Sequence, residues 1–352
     1  MKYEEFDQYL LQSEPGKRDK AQAWKTAIGL QEVDGLAPSA YLLETAKEHI
    51  EGRIDIATAQ KRIYSYYESR NERLTTEQNT MEADIVAAHI AELLAEKTFQ
   101  FSPAELQSIH RRLFTGVFKS AGQLRTYNIT KKEWVLNGDT VYYASYDSIR
   151  ETLDYDFGQE KNFSYAGLDA SQSIKHIAKF ISGIWQIHPF CEGNTRATAV
   201  FMIKYLQTFG FKVSNQVFAE NSWYFRNALV RANYNNLQNN IHATTAFLEQ
   251  FIENLLMGAN HELKNRCLHI DYSESIQSAK PQISKCQNCT LEELALLREV
   301  SKNPSITQKE LADVTGISER TIKRKTVALQ ERGLLRRKNG KRNGQWEVLI
   351  EI

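Results

Sequence analysis

The sequence predicts a mainly α-helical protein of two or three domains, with one small β-hairpin and a basic C-terminal module. Three observations predict it. Apolar residues recur at spacings of three and four, most clearly at Ile174, Ile177, Ile181 and Ile184, the period of a buried helical face. Only six prolines and 17 glycines interrupt 352 residues, so long helices have room. A single stretch carries a convincing strand signal: Trp134-Val135-Leu136, then Asn137-Gly138-Asp139, then Val141-Tyr142-Tyr143. Asn-Gly between apolar runs is a strong hairpin signal.

Composition bounds the function classes. Hydrophobic residues make up 42% and charged residues 25%, which excludes global disorder and supports a sizeable core. Net charge is +1, so no overall field points to nucleic acid. The charge is uneven, however. Residues 318–342 hold ten basic residues against two acidic ones, Glu319 and Glu331. Four cysteines are too few for a disulfide scaffold. No apolar run approaches the roughly 18–20 residues of a membrane span, so no membrane partner is expected. The opening MKYEEFDQYL has no basic stretch followed by an apolar one. No secretory signal is therefore expected, and a cytoplasmic location is the default.

Four segments follow in order. Residues 1–70 read as short helices. Pro38-Ser39 opens one helix, which Gly52 would end in a left-handed cap. Asp55 caps the next, through Ile63 and Tyr67. Residues 71–262 are mostly helical and contain the hairpin. Residues 263–289 form a linker with a polar stretch rich in Ser and Gln. Residues 290–352 form the basic module.

The chemistry concentrates between the helix 171–185 and a second apolar helix, 197–209. Between them runs His188-Pro189-Phe190-Cys191-Glu192-Gly193-Asn194-Thr195-Arg196. Backbone N–H groups around Gly193, Asn194 and Thr195 lie at a helix N-terminus and would face an anion. Glu192 is a hard oxygen ligand suited to Mg²⁺ shared with phosphates. Arg196 can grip a phosphate bidentately. His188 titrates in the range of a general base. A lone histidine here would read as a satisfied core residue; base, metal ligand, anion loop and arginine within nine residues favour a site.

This loop resembles the signature of the Fic (Fic/Doc, Fido) family, H-x-F-x-(D/E)-G-N-x-R-x-x-R. His188, Phe190, Glu192, Gly193, Asn194 and Arg196 fill their places in order. The segments Leu106–Phe114 and Ala121–Thr126 are similar to the family's approach to its flap, and the resemblance covers about residues 80–262. It implies a helical Fic core with a small β-hairpin flap at 129–143. It also implies transfer of AMP from ATP, with Mg²⁺, to a Ser, Thr or Tyr hydroxyl of a target protein, self-modification included. His188 would be the base, Glu192 the Mg²⁺ ligand, and Gly193, Asn194 and Thr195 the anion hole, with Arg196 on the phosphates. The flap residues Ile129, Thr130 and Lys131 would dock the target by strand addition. The family often places nucleoside contacts near Arg226, Asn227, Asn233 and Tyr234.

Two departures matter. Ala199 stands where the family has its second arginine, which holds the γ-phosphate, so the donor nucleotide is left open. Thr195 replaces the usual glycine. Residues 33–67 resemble the small antitoxin partner of one Fic class, whose inhibitory helix reads (S/T)-x-x-x-E-(G/N). Asp34-Gly35 fill the last two places, while Leu30 stands at the first. Asp34 is thus the inhibitory candidate, and Glu82 its rival. With both Asp34 and position 199 altered, a mainly structural role for this segment is the expectation, and an inhibitory role is the even alternative.

The C-terminal module resembles a winged helix-turn-helix. Helices are expected over 294–300 and from Thr307, with a turn at Gly316, a recognition helix over 318–331 and a wing tip at 339–343. Arg320, Lys323, Arg324 and Lys325 would contact DNA. A protein-binding winged helix with a solvated charge run is the alternative. Cys267, His269, Cys286 and Cys289 resemble zinc ligands in type, but their polar setting favours ordinary residues. A non-catalytic, nucleotide-sensing transcriptional regulator is the rival to the enzyme, and assembly into a homo-oligomer is left open.

Overall fold

The computed structural model describes residues 6–11, 14–68, 75–211, 216–272, 289–338 and 344–350. Helices dominate these residues. The N-terminal part holds α1 (Asp7–Leu10), α2 (Pro15–Gly29), α3 (Ala40–Ile50) and α4 (Ile56–Glu68). The central part holds α5 (Thr75–Ala95), α6 (Pro103–Phe114), α7 (Ile149–Asn162), α8 (Ala170–Ile187), α9 (Asn194–Gln207), α10 (Gln216–Ala232) and α11 (Ala246–Met257). The C-terminal part holds α12 (Leu291–Lys302), α13 (Gln308–Thr315) and α14 (Glu319–Glu331), then strands β1 (Leu335–Lys338) and β2 (Gln345–Val348).

Local signals explain most boundaries. Ser39 caps α3 by accepting the Leu42 N–H, and Gly52 beyond its end takes φ +79°. Asp55 accepts the Thr58 N–H at the start of α4. Asp169 and Gln172 form a capping box on α8, and Thr290 and Glu293 form another on α12. Helix α9 is buried on all sides from Asn194 to Leu206, as a helix through the centre of a core must be. Ala199 sits in that interior, fully buried.

One hydrophobic cluster runs from Phe6 through the central helices to Leu291, Leu294 and Ala295. A second, smaller cluster joins Leu296, Leu297 and Val300 of α12 to Leu311, Ile322, Leu329, Leu335 and Trp346. The first helix of the C-terminal module therefore packs on both. Among the described residues the module meets the central body at further points. The Ala170 N–H at the start of α8 donates to the Cys289 carbonyl at 2.9 Å. Arg298 donates to the carbonyls of Leu255 and Leu256 at the end of α11. Thr315 and Ile317, flanking the turn before α14, lie against Gly210 just past α9.

Strands β1 and β2 pair antiparallel, Leu335 opposite Val348 and Lys338 opposite Gln345. The wing tip expected at 339–343, most of the polar linker stretch and Cys286 lie outside the described residues. The hairpin expected at 129–143 is corrected. Trp134–Leu136 forms a single 3₁₀ turn, and no strand is present there. The local signal acts as far as the turn, with Asn137 at φ +55° and Gly138 at φ +84°. Pairing fails because Val135 and Leu136, consecutive in sequence, are both buried, which breaks the alternation of a strand. The Val135 carbonyl is instead satisfied by the N–H of Ile270 at 2.9 Å. The flap is thus an irregular loop closed by a hydrogen bond from the Glu133 N–H to the Asp139 carbonyl.

Candidate functional site

The loop between α8 and α9 is shaped by its own side chains. His188 ends α8 in the left-handed conformation, φ +50° and ψ +59°, because the following proline disfavours the α region and the helix must stop. Gly193 also has positive φ, +73°, and a Cβ there would lie 2.2 Å from the Phe114 ring, so only glycine fits. The Asn194 side chain closes a small ring on the loop. Its Oδ1 accepts the Phe190 N–H at 3.0 Å and its Nδ2 donates to the Phe190 carbonyl at 2.8 Å. Thr195 Oγ1 accepts the indole N–H of Trp185 at 3.0 Å. The side chains of Asn194 and Thr195 are therefore spent on the loop. What they offer a ligand is backbone N–H in the first turn of α9, which has no intrahelical partner.

His188 is buried, with 3% exposure. Its Nδ1 lies 3.2 Å from the Trp185 carbonyl. A carbonyl only accepts, so Nδ1 carries the proton and Nε2 keeps a free lone pair. Burial holds its pKa well below the ordinary histidine value, with the charge of Lys131 adding to the effect. The ring is thus neutral at physiological pH, the form a proton acceptor needs.

Two residues without an assigned role from the sequence build the scaffold of the loop. Arg125, 2% exposed, donates through Nε to the His188 carbonyl at 2.8 Å, through Nη1 to the Tyr127 carbonyl at 2.8 Å and through Nη2 to the Ala144 carbonyl. Its backbone N–H donates to the Pro189 carbonyl at 2.9 Å. His110 stacks on Phe190 with ring centroids 3.7 Å apart. Its Nδ1 accepts the Gly122 N–H at 2.8 Å, which leaves Nε2 to donate to the Glu192 carbonyl at 2.9 Å. Burial lowers its pKa to about 4, so it stays neutral. Both residues stand in segments similar to the family, but only their long-range bonds reveal what they do.

Arg196 is 1% exposed and surrounded. Its Nε lies 2.8 Å from Asp34 Oδ2, one Nη donates to Glu82 Oε1 at 2.6 Å, and the other donates to Gln31 Oε1 at 3.0 Å. The guanidinium carbon sits 4.8 Å above the Phe114 ring. The two candidate inhibitory carboxylates thus meet on one arginine, that of the loop itself, with Ala199 offering none. Gln31 is a third partner that no sequence pattern marked.

Glu192 is exposed and paired with the flap, Lys131 Nζ to Oε2 at 2.8 Å. Its remaining oxygen is a hard ligand open to solvent, which fits a Mg²⁺ that takes its other ligands from phosphates and water. Among the described residues no group of three or more His, Cys, Asp or Glu could hold a metal by itself. Of the flap residues, Ile129 is half-buried and Thr130 exposed, and neither makes a backbone-to-backbone hydrogen bond among the described residues. Tyr234 is buried at the end of α10, and its hydroxyl donates to Asp139 Oδ2 of the flap turn at 2.7 Å. Arg226 grips the fully buried Glu133 with both Nη atoms, at 2.6 and 3.0 Å. Both therefore brace the flap. Asn227 and Asn233 bond to Asn265 and to the carbonyls of Ser182 and Leu229.

In the C-terminal module, Arg320, Lys323 and Arg324 are exposed on α14, while Lys325 is mostly buried and paired with Glu292. Lys323 pairs with Glu319 on its own helix. Arg320 and Arg324 have no ion-pair partner among the described residues.

Residues 100–206 match the Fic/DOC family, and residues 293–336 match the winged helix-turn-helix DNA-binding family. The chain is 25% identical over 114 residues to the protein adenylyltransferase VbhT of Bartonella schoenbuchensis, covering 32% of this chain and 23% of that protein. It is 26% identical over 144 residues to the probable protein adenylyltransferase Fic of Escherichia coli, covering 39% of this chain and 68% of that protein. A crystal structure of a Fic family protein from Desulfovibrio desulfuricans aligns with 97% of this chain and 89% of its own, at 13% identity and a TM-score of 0.42. No described helix is long and apolar enough to cross a membrane.

Proposed function

We propose that this chain, which carries a Fic/DOC family domain and a C-terminal winged helix-turn-helix, transfers AMP from ATP to a hydroxyl of a protein. The observation that carries the reading is His188: a neutral imidazole with Nε2 free, held beside unpaired N–H groups at the start of α9. In the proposed reaction a Ser, Thr or Tyr hydroxyl oxygen attacks the α-phosphorus. The proton passes to His188 Nε2, the bond to the β-phosphate bridging oxygen breaks, and pyrophosphate leaves. Backbone N–H groups of Asn194 and Thr195 would meet the negative oxygens that flank the reacting phosphorus. Glu192 would hold Mg²⁺, which neutralises phosphate charge when bound. The unpaired backbone at Ile129 and Thr130 suits a target segment added in extended form.

The resting site is proposed to be restrained. Arg196, the loop's phosphate-binding arginine, is already occupied by Asp34, Glu82 and Gln31. A triphosphate must compete with two carboxylates for it. Residues 1–70 then regulate as well as support.

Intact mass of the purified protein with Mg²⁺ and ATP tests the reading, beside His188→Ala and a CTP, GTP and UTP series. One AMP gained by the wild type and absent in the mutant supports it. Transfer that persists in the mutant sinks the mechanism. A second function has its own observation: the match to a DNA-binding winged helix and two exposed arginines on its α14 with no ion-pair partner among the described residues. DNA is the proposed second partner.

A further inference from the structure

Tyr143 lies outside the signature loop, yet it forms one wall around the imidazole of His188. Its ring centroid is 4.2 Å from that of His188, with planes 32° apart. Trp185 meets the same imidazole edge-on at 5.2 Å. The Tyr143 hydroxyl lies 3.5 Å from Glu133 Oε1, and Glu133 is the fully buried carboxylate that Arg226 of α10 grips with both Nη atoms. Its neighbour Tyr142 points to solvent, 82% exposed, while Tyr143 is half-buried. The aromatic ring at this flap position therefore has an inward task.

A single hydrogen bond at Nδ1 does not fix an imidazole. The ring can tilt about that bond, and its terminal torsion is broad. A flat neighbour against one face removes the tilt. We propose that Tyr143 is a positioning residue for His188: its ring, tethered through Glu133 to Arg226, sets the imidazole plane and aims Nε2 at the incoming hydroxyl. The proposal rests on the assignment of His188 as the base. Near-attack geometry is strict, and a displacement of about 1 Å can cost about 100-fold in rate. The charged groups facing this ring are Lys131 of the flap, Arg125 before it and Arg226 of α10, with Glu133 compensating the last.

The test uses the full chain with Mg²⁺ and ATP. Tyr143→Phe keeps the ring and loses the tether; Tyr143→Leu keeps bulk and loses the flat face. Rates of AMP addition, melting temperature and ¹⁵N NMR of the His188 imidazole are read together. Expected for the leucine variant is a fall of about 10- to 100-fold in kcat with KM for ATP within about twofold. Its imidazole should show a mixed tautomer and a titration midpoint moving up toward that of a free histidine. The phenylalanine variant, with the flat face kept and the tether lost, should fall between wild type and the leucine variant. Wild-type kcat and an unchanged imidazole in the leucine variant overturn the proposal. So does a loss of rate that follows melting temperature alone in both variants, with the imidazole signals intact. The NMR reads the ring without catalysis. A wild type that adds no nucleotide therefore counts against the transfer reading, while the leucine variant's imidazole still decides the role of Tyr143.

Discussion

Asp34 Oδ2 lies 2.8 Å from Arg196 Nε, so a residue of the N-terminal helices reaches the arginine of the signature loop directly. Glu82 from α5 reaches a different nitrogen of the same guanidinium. Removing one carboxylate leaves the other to neutralise the charge, so the fold should tolerate either loss. Asp34→Ala and Glu82→Ala are each expected to tighten ATP binding by about tenfold, roughly 1.4 kcal/mol, and the double variant by more. Calorimetric titration with ATP and Mg²⁺ measures it. Unchanged affinity in all three variants would make these contacts purely structural.

The pH profile follows from the buried histidines. His188 is held below its ordinary value chiefly by burial, then by Lys131. It stays neutral through pH 6–8, so the rate should be flat there and fall only well below pH 6.5. Stability responds in the same direction. His49 and His110 have folded pKa values near 4, both lowered mainly by burial, and His89 is also lowered. Between about pH 4 and 6.5 the unfolded chain binds protons that the folded one refuses, so stability falls as pH falls through that window. Each such histidine adds a slope of at most about 1.4 kcal/mol per pH unit. Asp84, raised by burial despite its bonds to Ser39 and Tyr67, opposes them, since its proton is favoured by the folded state. Urea unfolding at pH 7 and pH 5 gives the sign: a more stable protein at pH 5 contradicts the account.

Gly193→Ala places a methyl group on Phe114 at a backbone angle that L residues rarely adopt. We expect a loss of about 2 kcal/mol or more, with the loop's activity abolished. Melting temperature and AMP addition report the two effects separately.

Arg125→Met would leave the carbonyls of His188, Tyr127 and Ala144 without their donor. Orphaned buried carbonyls cost about 1–3 kcal/mol each where water cannot reach them. The expected result is a drop of several degrees in Tm and, in whatever fold remains, a kcat loss that exceeds any change in KM.

On DNA, Arg320→Ala and Arg324→Ala should each weaken binding by about 1–3 kcal/mol, while Lys325→Ala should change it little because that lysine already pairs with Glu292. Fluorescence anisotropy on duplex DNA at two salt concentrations separates phosphate contacts from base contacts. Equal losses for all three would remove the distinction.

What the sequence made legible was local. Ser39, Gly52 and Asp55 mark helix ends through their immediate neighbours, and the cluster from His188 to Arg196 is contiguous. The Asn137-Gly138 turn was legible too, but not its fate, because burial of Val135 and Leu136 is decided by partners far along the chain. Gln31 and Glu133 went unnoticed for the same reason, as did the tasks of Arg125 and His110. Each acts through bonds across long sequence separations, and no spacing rule encodes those. The helical period of α8 announced a buried face; it could not announce that the face ends in an imidazole walled by Tyr143.

Helix α12 serves two hydrophobic clusters at once, with Leu291, Leu294 and Ala295 in the larger and Leu296, Leu297 and Val300 in the smaller. A cut at residue 289 would bare apolar surface on both halves and strip the Ala170 N–H of its acceptor. The winged helix-turn-helix part is therefore no detachable bead on a string. The two parts share a strut, and melting of one should drag down the other in a single cooperative event.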